Sequence, residues 1–166
     1  MIFKGKDLEQ VDGVKGKFIE GVEIKKLRKI PDERGTIYHM LTKDDEIFED
    51  FGEIYFSNIY PNVVKAWHWH RDMVLNYSVV YGMIKMVVYD DRENSKTYGN
   101  LMEIFLGEEN YILVKVPKKV WNGFKGIGKT KAIVANCSSI IHNPEEIFRK
   151  EFDTIDIPYD WELKNE

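Results

Sequence analysis

Short runs of apolar and β-branched residues recur along the 166-residue chain, and polar turn residues separate them, as in the segment 90–95. Spacing near ten residues is typical of antiparallel β-structure, in which closure into a sandwich or barrel hides the sheet edges. The pattern therefore predicts an all-β fold. It places about nine strands, at residues 21–29, 36–41, 53–60, 63–70, 76–81, 83–89, 101–106, 111–116 and 131–137.

The first of these strands has an irregular pattern. Val22 and Ile24 share one face of the strand, but Leu27 falls out of their alternation. A bulge between Lys25 and Lys26 would restore the phase, because a bulge inserts one extra residue into one strand of a pair. A continuous strand over residues 21–29 therefore requires a bulge at this point.

One stretch near the C-terminus predicts a helix instead of a strand. Pro144 suits a first helical turn, and Glu145 and Glu146 would complement the positive end of the helix dipole. We expect a short C-terminal helical segment over residues 144–150. The tail that follows, residues 155–161, is apolar and aromatic, so we expect it to pack on the barrel.

The composition is that of an ordinary globular protein, with 43% hydrophobic and 31% charged residues. The formal net charge of −4 provides no global basic field. Neither nucleic acid nor a membrane surface is therefore expected as a partner. No linker, repeat or low-complexity tract divides the sequence, so we expect a single domain over residues 1–166.

The chain has a single cysteine, Cys137, which excludes an intrachain disulfide and favours a reducing compartment. Its mostly apolar neighbours indicate a small buried side chain rather than a nucleophile. No stretch has the pattern of a signal peptide or the roughly 20 apolar residues of a membrane span. The expected location is cytoplasmic.

The candidate chemistry begins at His68 and His70, which lie two apart in a predicted strand and therefore leave the same face. Their spacing resembles the first motif of the cupin superfamily, which continues with a glutamate and a glycine and is followed later by a histidine. Here Gly82 keeps the glycine, but Leu75 and Asn122 stand at the two remaining metal-ligand positions. Leucine cannot coordinate, and an amide is a poor ligand for a borderline ion. The sequence therefore predicts a cupin with no metal and no cofactor.

A more specific resemblance extends over nearly the whole chain. Its motifs follow one another at residues 32–35, 63–68, 80–82, 88–92, 97–99, 107–110, 116–117, 122–124 and 156–161. Together they resemble the dTDP-4-dehydrorhamnose 3,5-epimerase family, and the chain looks like a divergent branch of it. The resemblance implies a metal-free cupin, that is, a double-stranded β-helix or jelly-roll barrel. It also implies a nucleotide-linked sugar substrate, a role in deoxysugar or surface-polysaccharide biosynthesis, and a homodimer that exchanges N-terminal strands.

The reaction that the resemblance implies is proton transfer beside a ketone. A 4-keto group acidifies the protons on C3 and C5 of the sugar, and removal of one leaves an enolate that needs a donor or positive charge. Inversion then needs an acid on the opposite face. His68 stands at the position of the family's catalytic base, for which a side chain that titrates near neutrality is suited. Asp153, in the tail, is the candidate carboxylate partner of His68.

Further candidates for the site follow from the same resemblance. The expected substrate-binding residues are Arg34, Lys65, His70, Asn122, Tyr77 and His39. The family's enolate-binding lysine falls at Leu75, and its proton-returning tyrosine falls near Ala135. Replacements for that tyrosine could come from Tyr77, Tyr81 or Tyr89, and further donors from His142 or Asn136.

Because the lysine and the tyrosine are both missing, three outcomes stay open. They are epimerisation at one centre, ketone isomerisation, and sugar-nucleotide binding without turnover. A metal-dependent cupin that uses His68 and His70 is a further alternative.

Overall fold

The computed structural model describes residues 1–164, and it contains two six-stranded antiparallel sheets. In spatial order, sheet I contains β1 (Ile2–Lys4), β3 (Glu23–Lys26), β11 (Ile112–Val116), β8 (Leu75–Tyr81), β13 (Ala132–Ser138) and β6 (Glu53–Ile59). Sheet II contains β14 (Ile147–Arg149), β7 (Val64–His70), β12 (Trp121–Ile127), β9 (Met83–Tyr89), β10 (Leu101–Gly107) and β2 (Val14–Gly16). Strands β4 (Arg28–Asp32) and β5 (Gly35–His39) form a separate hairpin, and a 3₁₀ helix spans Gly5–Gln10.

One apolar core fills the space between the two sheets. Sheet I contributes Val79 and Val114, and sheet II contributes Met86 and Ile104, all fully buried. Each such side chain stabilises the fold by about 1.5–3 kcal/mol when it leaves water. The all-β architecture predicted from the spacing of the apolar runs is confirmed.

A second apolar cluster lies on the other face of β7. Trp67 packs against Trp161 of the tail, with ring centroids 5.0 Å apart, and Ile157 is buried in the same cluster. The Nζ atom of Lys125 donates a hydrogen bond to the carbonyl oxygen of Trp161 at 2.8 Å. The expected packing of the tail on the barrel is therefore confirmed.

The predicted helix over residues 144–150 is wrong. Ile147–Arg149 instead form β14, which pairs antiparallel with the end of β7, so that Ile147 lies opposite His70 and Arg149 opposite His68. The edge of β7 offers backbone donors and acceptors that a strand can satisfy, and a sheet edge of this kind readily accepts one. Among the described residues, no helix has the length and apolarity needed to cross a membrane.

Strand β12 was not among the predicted strands, although it lies between β7 and β9 in sheet II. Its glycines, Gly123 and Gly126, weaken the strand signal. A Cβ atom at Gly123 would lie 2.4 Å from the Cβ of Ala66, so β12 and β7 approach each other too closely for a side chain. Gly123 therefore weakens the strand pattern of β12 in the sequence and also allows β12 to pair closely with β7.

The expected bulge between Lys25 and Lys26 is also wrong. β3 keeps a regular register with β11 up to Lys26, and the chain then leaves this sheet. Leu27 donates its backbone N–H to the carbonyl oxygen of Tyr111, and Arg28 begins the separate hairpin. The break in alternation at Leu27 marks a change of sheet.

Gly82 joins β8 to β9, and its substitution tests how closely this turn packs against the start of β13. Its φ of 72° is left-handed, and a Cβ atom there would lie 2.4 Å from the carbonyl oxygen of Lys131. We expect Gly82→Ala to lower the free energy of unfolding by roughly 2–4 kcal/mol, of which about 1–2 kcal/mol comes from the positive φ and the rest from crowding. Urea denaturation measures this loss.

Gly128 is the matched control, because its φ is 84° but a Cβ atom there would meet nothing within 4 Å. Gly128→Ala should therefore show only the conformational part of the loss. Equal losses in the two variants would contradict the role of crowding at Gly82.

Candidate active site

A cavity of about 360 Å³ lies between the two sheets, a volume that suits a small ligand. Sheet II contributes Lys65, His68, His70, Phe124, Ile147 and Arg149 to its lining. Sheet I contributes Glu53, Tyr55, Ser57, Tyr77, Val134 and Asn136. Met73 and His142 complete the lining from connecting segments. The cavity therefore has two walls of different chemistry, with His68 and His70 on one and the two tyrosines on the other.

His68 is a half-buried side chain on the sheet II wall. Arg149 lies opposite it on β14, and Lys65 lies on its own strand. Burial, together with the charges of Arg149, His70 and Lys65, lowers the pKa of His68 from 6.5 to about 4. His68 is therefore a neutral imidazole at pH 7 that is able to accept a proton, and its pKa lies below the near-neutral value expected from the sequence.

His70 differs from His68 because it has a carboxylate partner. Its Nδ1 atom lies 2.5 Å from Oε1 of Glu146, and both side chains are buried. The other oxygen of Glu146 accepts hydrogen bonds from the backbone N–H groups of Asp72 at 3.1 Å and Met73 at 3.3 Å. Burial raises the pKa of Glu146, but these hydrogen bonds outweigh it, so the net pKa is lowered. The ionised carboxylate holds the proton of His70 on Nδ1 and leaves Nε2 free for other contacts.

Lys65 connects the two walls of the cavity. Its Nζ atom donates hydrogen bonds to Oγ of Ser57 at 2.7 Å and to the carbonyl oxygen of Asn58 at 2.5 Å. Both acceptors belong to β6, so the ammonium group is fixed between β7 and the edge of sheet I. It places a positive charge at the cavity without a carboxylate partner among the described residues.

The sheet I wall carries three polar side chains in one row across neighbouring strands. Asn136 lies in the register between Tyr55 of β6 and Tyr77 of β8. The amide Nδ2 of Asn136 donates to the hydroxyl oxygen of Tyr55 at 2.8 Å. The hydroxyl of Tyr77 instead donates to Oδ1 of Asn122 at 3.5 Å, and burial raises the pKa of Tyr77 well above its ordinary value.

The structure brings some of the predicted site residues together. Lys65, His68, His70 and Tyr77 line the same cavity. Asn122, which lies opposite His68 in the register of β12 and β7, is fully buried, and its Nδ2 donates to the carbonyl oxygen of His68 at 3.2 Å. Asn122 therefore ties β12 to β7, and its Oδ1 accepts a hydrogen bond from the hydroxyl of Tyr77, which lines the cavity.

Three other predicted residues lie elsewhere in the described chain. Arg34 and His39 belong to the β4–β5 hairpin, and the side chain of Arg34 is 86% exposed and paired with Asp32. Asp153 lies in an exposed turn of the tail, outside the cavity lining. Its pairing with His68 stays a prediction, with no contact in the structure to support it.

The two departures from the family pattern are visible in the packing. Leu75 belongs to the apolar core and is buried. Ala135 is directed away from the cavity, because its neighbours Val134 and Asn136 line it. Residues 1–164 contain no group of three or more His, Cys, Asp or Glu side chains placed to hold a metal ion.

Several residues of the site escaped sequence analysis. Glu146 and Arg149 were assigned to a helix, which concealed their approach to β7. Tyr55 had a usable signal, because Glu53, Tyr55 and Ser57 alternate along β6 and share one face. A polar face on a strand of an apolar barrel indicates a cavity wall.

Two antiparallel sheets that enclose a cavity with two histidines of one strand, His68 and His70, define a cupin-type barrel. The profile of the dTDP-4-dehydrorhamnose 3,5-epimerase family matches residues 17–166. The chain is also 33% identical over 145 residues to the spore coat polysaccharide biosynthesis protein SpsL of Bacillus subtilis strain 168, which covers 86% of this chain and 96% of SpsL. The chain belongs to the dTDP-4-dehydrorhamnose 3,5-epimerase family.

Solved structures agree with this assignment. A dTDP sugar isomerase from Desulfovibrio desulfuricans G20 superposes with a TM-score of 0.85 at 44% identity, over 86% of this chain and 92% of that chain. The epimerase RmlC of Legionella pneumophila Philadelphia 1, solved in complex with dTDP-4-keto-L-rhamnose, superposes with a TM-score of 0.79 at 23% identity, over 91% and 85% of the two chains. The second match shows the fold alone, and it confirms the cupin barrel.

The low pKa of His68 can be tested in the protein without substrate. NMR titration of the imidazole should give a midpoint near pH 4, well below the ordinary value of 6.5. In Arg149→Gln the midpoint should rise by roughly half a unit, because one positive charge near the imidazole is removed and solvent screens part of its effect.

Lys150→Gln is the matched control for this titration. It also removes one positive charge, but Lys150 pairs with Asp156 and its Nζ atom lies over the ring of Trp121. The His68 midpoint should stay where it is in the unaltered protein. A midpoint near 6.5 in the unaltered protein would contradict the electrostatic description of the site.

Proposed function

We propose that this chain is a cofactor-independent epimerase or isomerase of a nucleotide-linked 4-keto sugar. The observation that supports this most directly is the neutral imidazole of His68 in a cavity between the two sheets, beside the positive charges of Arg149 and Lys65. The similarity to a dTDP sugar isomerase favours a dTDP-linked substrate. The similarity to SpsL favours a role in surface-polysaccharide biosynthesis. The proposal treats residues 1–166 as one domain and places the reaction in the cytoplasm.

In the proposed reaction, His68 removes a proton from the carbon next to the ketone. The electrons of the broken C–H bond form the enolate, and negative charge develops on the ketone oxygen. A positive charge fixed near that oxygen stabilises the transition state more than the ground state. We assign the stabilisation of the enolate oxygen to Arg149 and Lys65, which line the cavity. The family's lysine cannot serve, because its position is the buried Leu75.

His70 has a supporting role in this proposal. Because Glu146 holds Nδ1, the imidazole has one orientation, and Nε2 serves a hydroxyl or carbonyl group of the sugar. Asp153 would have to move from its exposed turn to assist His68. The proposal therefore gives Asp153 no role in the geometry seen here.

Binding without turnover is the second candidate function. It is favoured by the burial of Leu75 in the apolar core and by the direction of Ala135 away from the cavity. In that case the chain would bind a sugar nucleotide and serve neighbouring sugar-modifying enzymes. The two candidates differ in whether a sugar C–H bond is broken.

We also propose that the chain forms a homodimer through the edge of sheet I. Strand β6 is the last strand of that sheet, and its outer face exposes Ile54 and Phe56, the latter by 64%. The β4–β5 hairpin, which no other described strand pairs with, exposes Ile37. Addition of the hairpin to β6 of a partner would cover both apolar faces. It would also bring Arg34 and His39 towards the cavity of the partner.

Proton exchange in deuterium oxide tests the proposed reaction. With dTDP-linked 4-keto sugars, we expect NMR to show deuterium uptake at C3 or C5. His68→Asn should reduce the rate of uptake by about 100-fold or more, because the general base is lost. The variant should still bind dTDP with nearly unchanged affinity.

Uptake at the rate of the unaltered protein in His68→Asn would contradict the assignment of His68 as the base. Tight binding of the sugar nucleotide with no uptake in the unaltered protein would support binding without turnover. Uptake that depends on an added metal ion would instead support the metal-dependent alternative.

Light scattering coupled to size-exclusion chromatography tests the dimer. At micromolar concentration we expect twice the mass of the chain, and Phe56→Lys should give the monomer because it places a charge in the interface. Ile155→Lys is the control, since Ile155 is 97% exposed on the tail and should not affect association. A monomer in the unaltered protein would contradict the proposed dimer.

A further inference from the structure

We propose that Tyr55 is the acid that protonates the enolate on the face opposite to His68, and that Asn136 positions its hydroxyl. This inference rests on the proposed function, because it identifies the second proton-transfer group of the same reaction. Two observations support it: Tyr55 lies on the sheet I wall, which faces His68, and its hydroxyl oxygen accepts a hydrogen bond from Asn136.

The first observation is that Tyr55 and His68 line one cavity from different sheets. Tyr55 belongs to β6 of sheet I, and His68 belongs to β7 of sheet II. The cavity of about 360 Å³ between the two sheets is large enough for a sugar ring between the two walls. A base on one wall and an acid on the other is the arrangement that inversion of a carbon centre requires.

The second observation is that the hydrogen bond of Tyr55 runs in a fixed direction. Oδ1 of Asn136 accepts from the backbone N–H of Asn76 at 3.2 Å, and a backbone N–H can only donate. This contact fixes the orientation of the amide, so Nδ2 faces Tyr55 and donates to its hydroxyl oxygen at 2.8 Å. The phenolic oxygen is therefore the acceptor, and its hydrogen stays available to the cavity. The same donated bond would stabilise the phenolate that forms after proton transfer.

The other tyrosines are less suited to this role. Tyr77 lines the cavity, but its hydroxyl is directed to Asn122, and burial raises its pKa well above the ordinary value. Tyr81 and Tyr89 are not among the residues that line the cavity. Tyr89 packs instead against the cluster that contains Trp121.

The position of Tyr55 also explains how the chain can lack a tyrosine near Ala135. Asn136, the neighbour of Ala135 that faces the cavity, lies directly opposite Tyr55 in the register of β13 and β6. The phenol thus comes from the adjacent strand, and Asn136 holds it. One strand supplies the hydroxyl, and the other supplies its orientation.

The proposed step is balanced in atoms and charge. His68 takes the proton from the sugar carbon and becomes an imidazolium, and the C–H electron pair forms the enolate. The O–H bond of Tyr55 then breaks, its proton forms the new C–H bond on the opposite face, and a phenolate remains. The imidazolium loses a proton to water and the phenolate gains one from water, which restores the starting state.

Tyr55→Phe separates the two halves of this reaction. In deuterium oxide, the variant should still exchange the acidic sugar proton within a few-fold of the rate of the unaltered protein, because His68 is intact. Inversion at the same carbon should fall by about 100-fold or more, because the acid on the opposite face is lost. NMR of the sugar reports exchange and inversion in the same sample.

Two further variants make the test specific. Tyr60→Phe removes a hydroxyl from an exposed tyrosine that directly follows β6 and lies outside the cavity lining, so it should change neither rate. Asn136→Asp places a carboxylate oxygen where Nδ2 now donates, so the hydroxyl of Tyr55 would donate to it and turn its hydrogen away from the cavity. Inversion should then fall as in Tyr55→Phe, with exchange retained.

The outcomes distinguish this inference from the function on which it rests. No exchange in the unaltered protein would contradict the proposed function itself. Exchange and inversion at normal rates in Tyr55→Phe would overturn the role of Tyr55 and leave His68 as the base. Two other results would also overturn the role of Tyr55 as the acid. One is the loss of both exchange and inversion in Tyr55→Phe, and the other is exchange without inversion in the unaltered protein.

Discussion

The buried carboxylate of Glu146 determines the geometry of the sheet II wall. It accepts hydrogen bonds from His70 and from the backbone N–H groups of Asp72 and Met73. A buried carboxylate without such donors would cost several kcal/mol, so these groups must come together when the chain folds. Their assembly fixes the end of β7 and the start of β14. The position of Arg149 opposite His68 follows from this pairing.

Two histidines on one strand therefore have different electrostatic surroundings. His70 is paired with a carboxylate, whereas His68 is next to Arg149 and close to Lys65, and its pKa is lowered to about 4. Neighbouring identical groups with different environments are a common basis for a division of labour in acid–base sites. In this chain the division follows from the register of β14, which places Arg149 opposite His68 and Ile147, the residue after Glu146, opposite His70.

Part of the fold and of the candidate site can be predicted from the sequence, because many of the strands follow from the local pattern of apolar residues. The alternation of apolar residues indicates most of the strands, and the resemblance to the cupin motifs implies the replacement of metal ligands at Leu75 and Asn122. Other features depend on contacts between distant segments. Helix signals around Glu146 are local, whereas the pairing of β14 with β7 is decided by a sheet edge elsewhere in the chain. The glycines of β12 conceal a central strand for the same reason, since Gly123 is explained only by its approach to Ala66.

All four tryptophans of the chain lie at or beside β7: Trp67, Trp69, Trp121 and Trp161. Trp67 and Trp69 alternate with the histidines along one strand, so the indole rings stand on the reverse side of the wall that faces the cavity. The intrinsic fluorescence of the protein consequently originates almost entirely behind the proposed catalytic strand. Emission intensity and wavelength thus form a built-in optical probe of that strand, with no need for an attached dye.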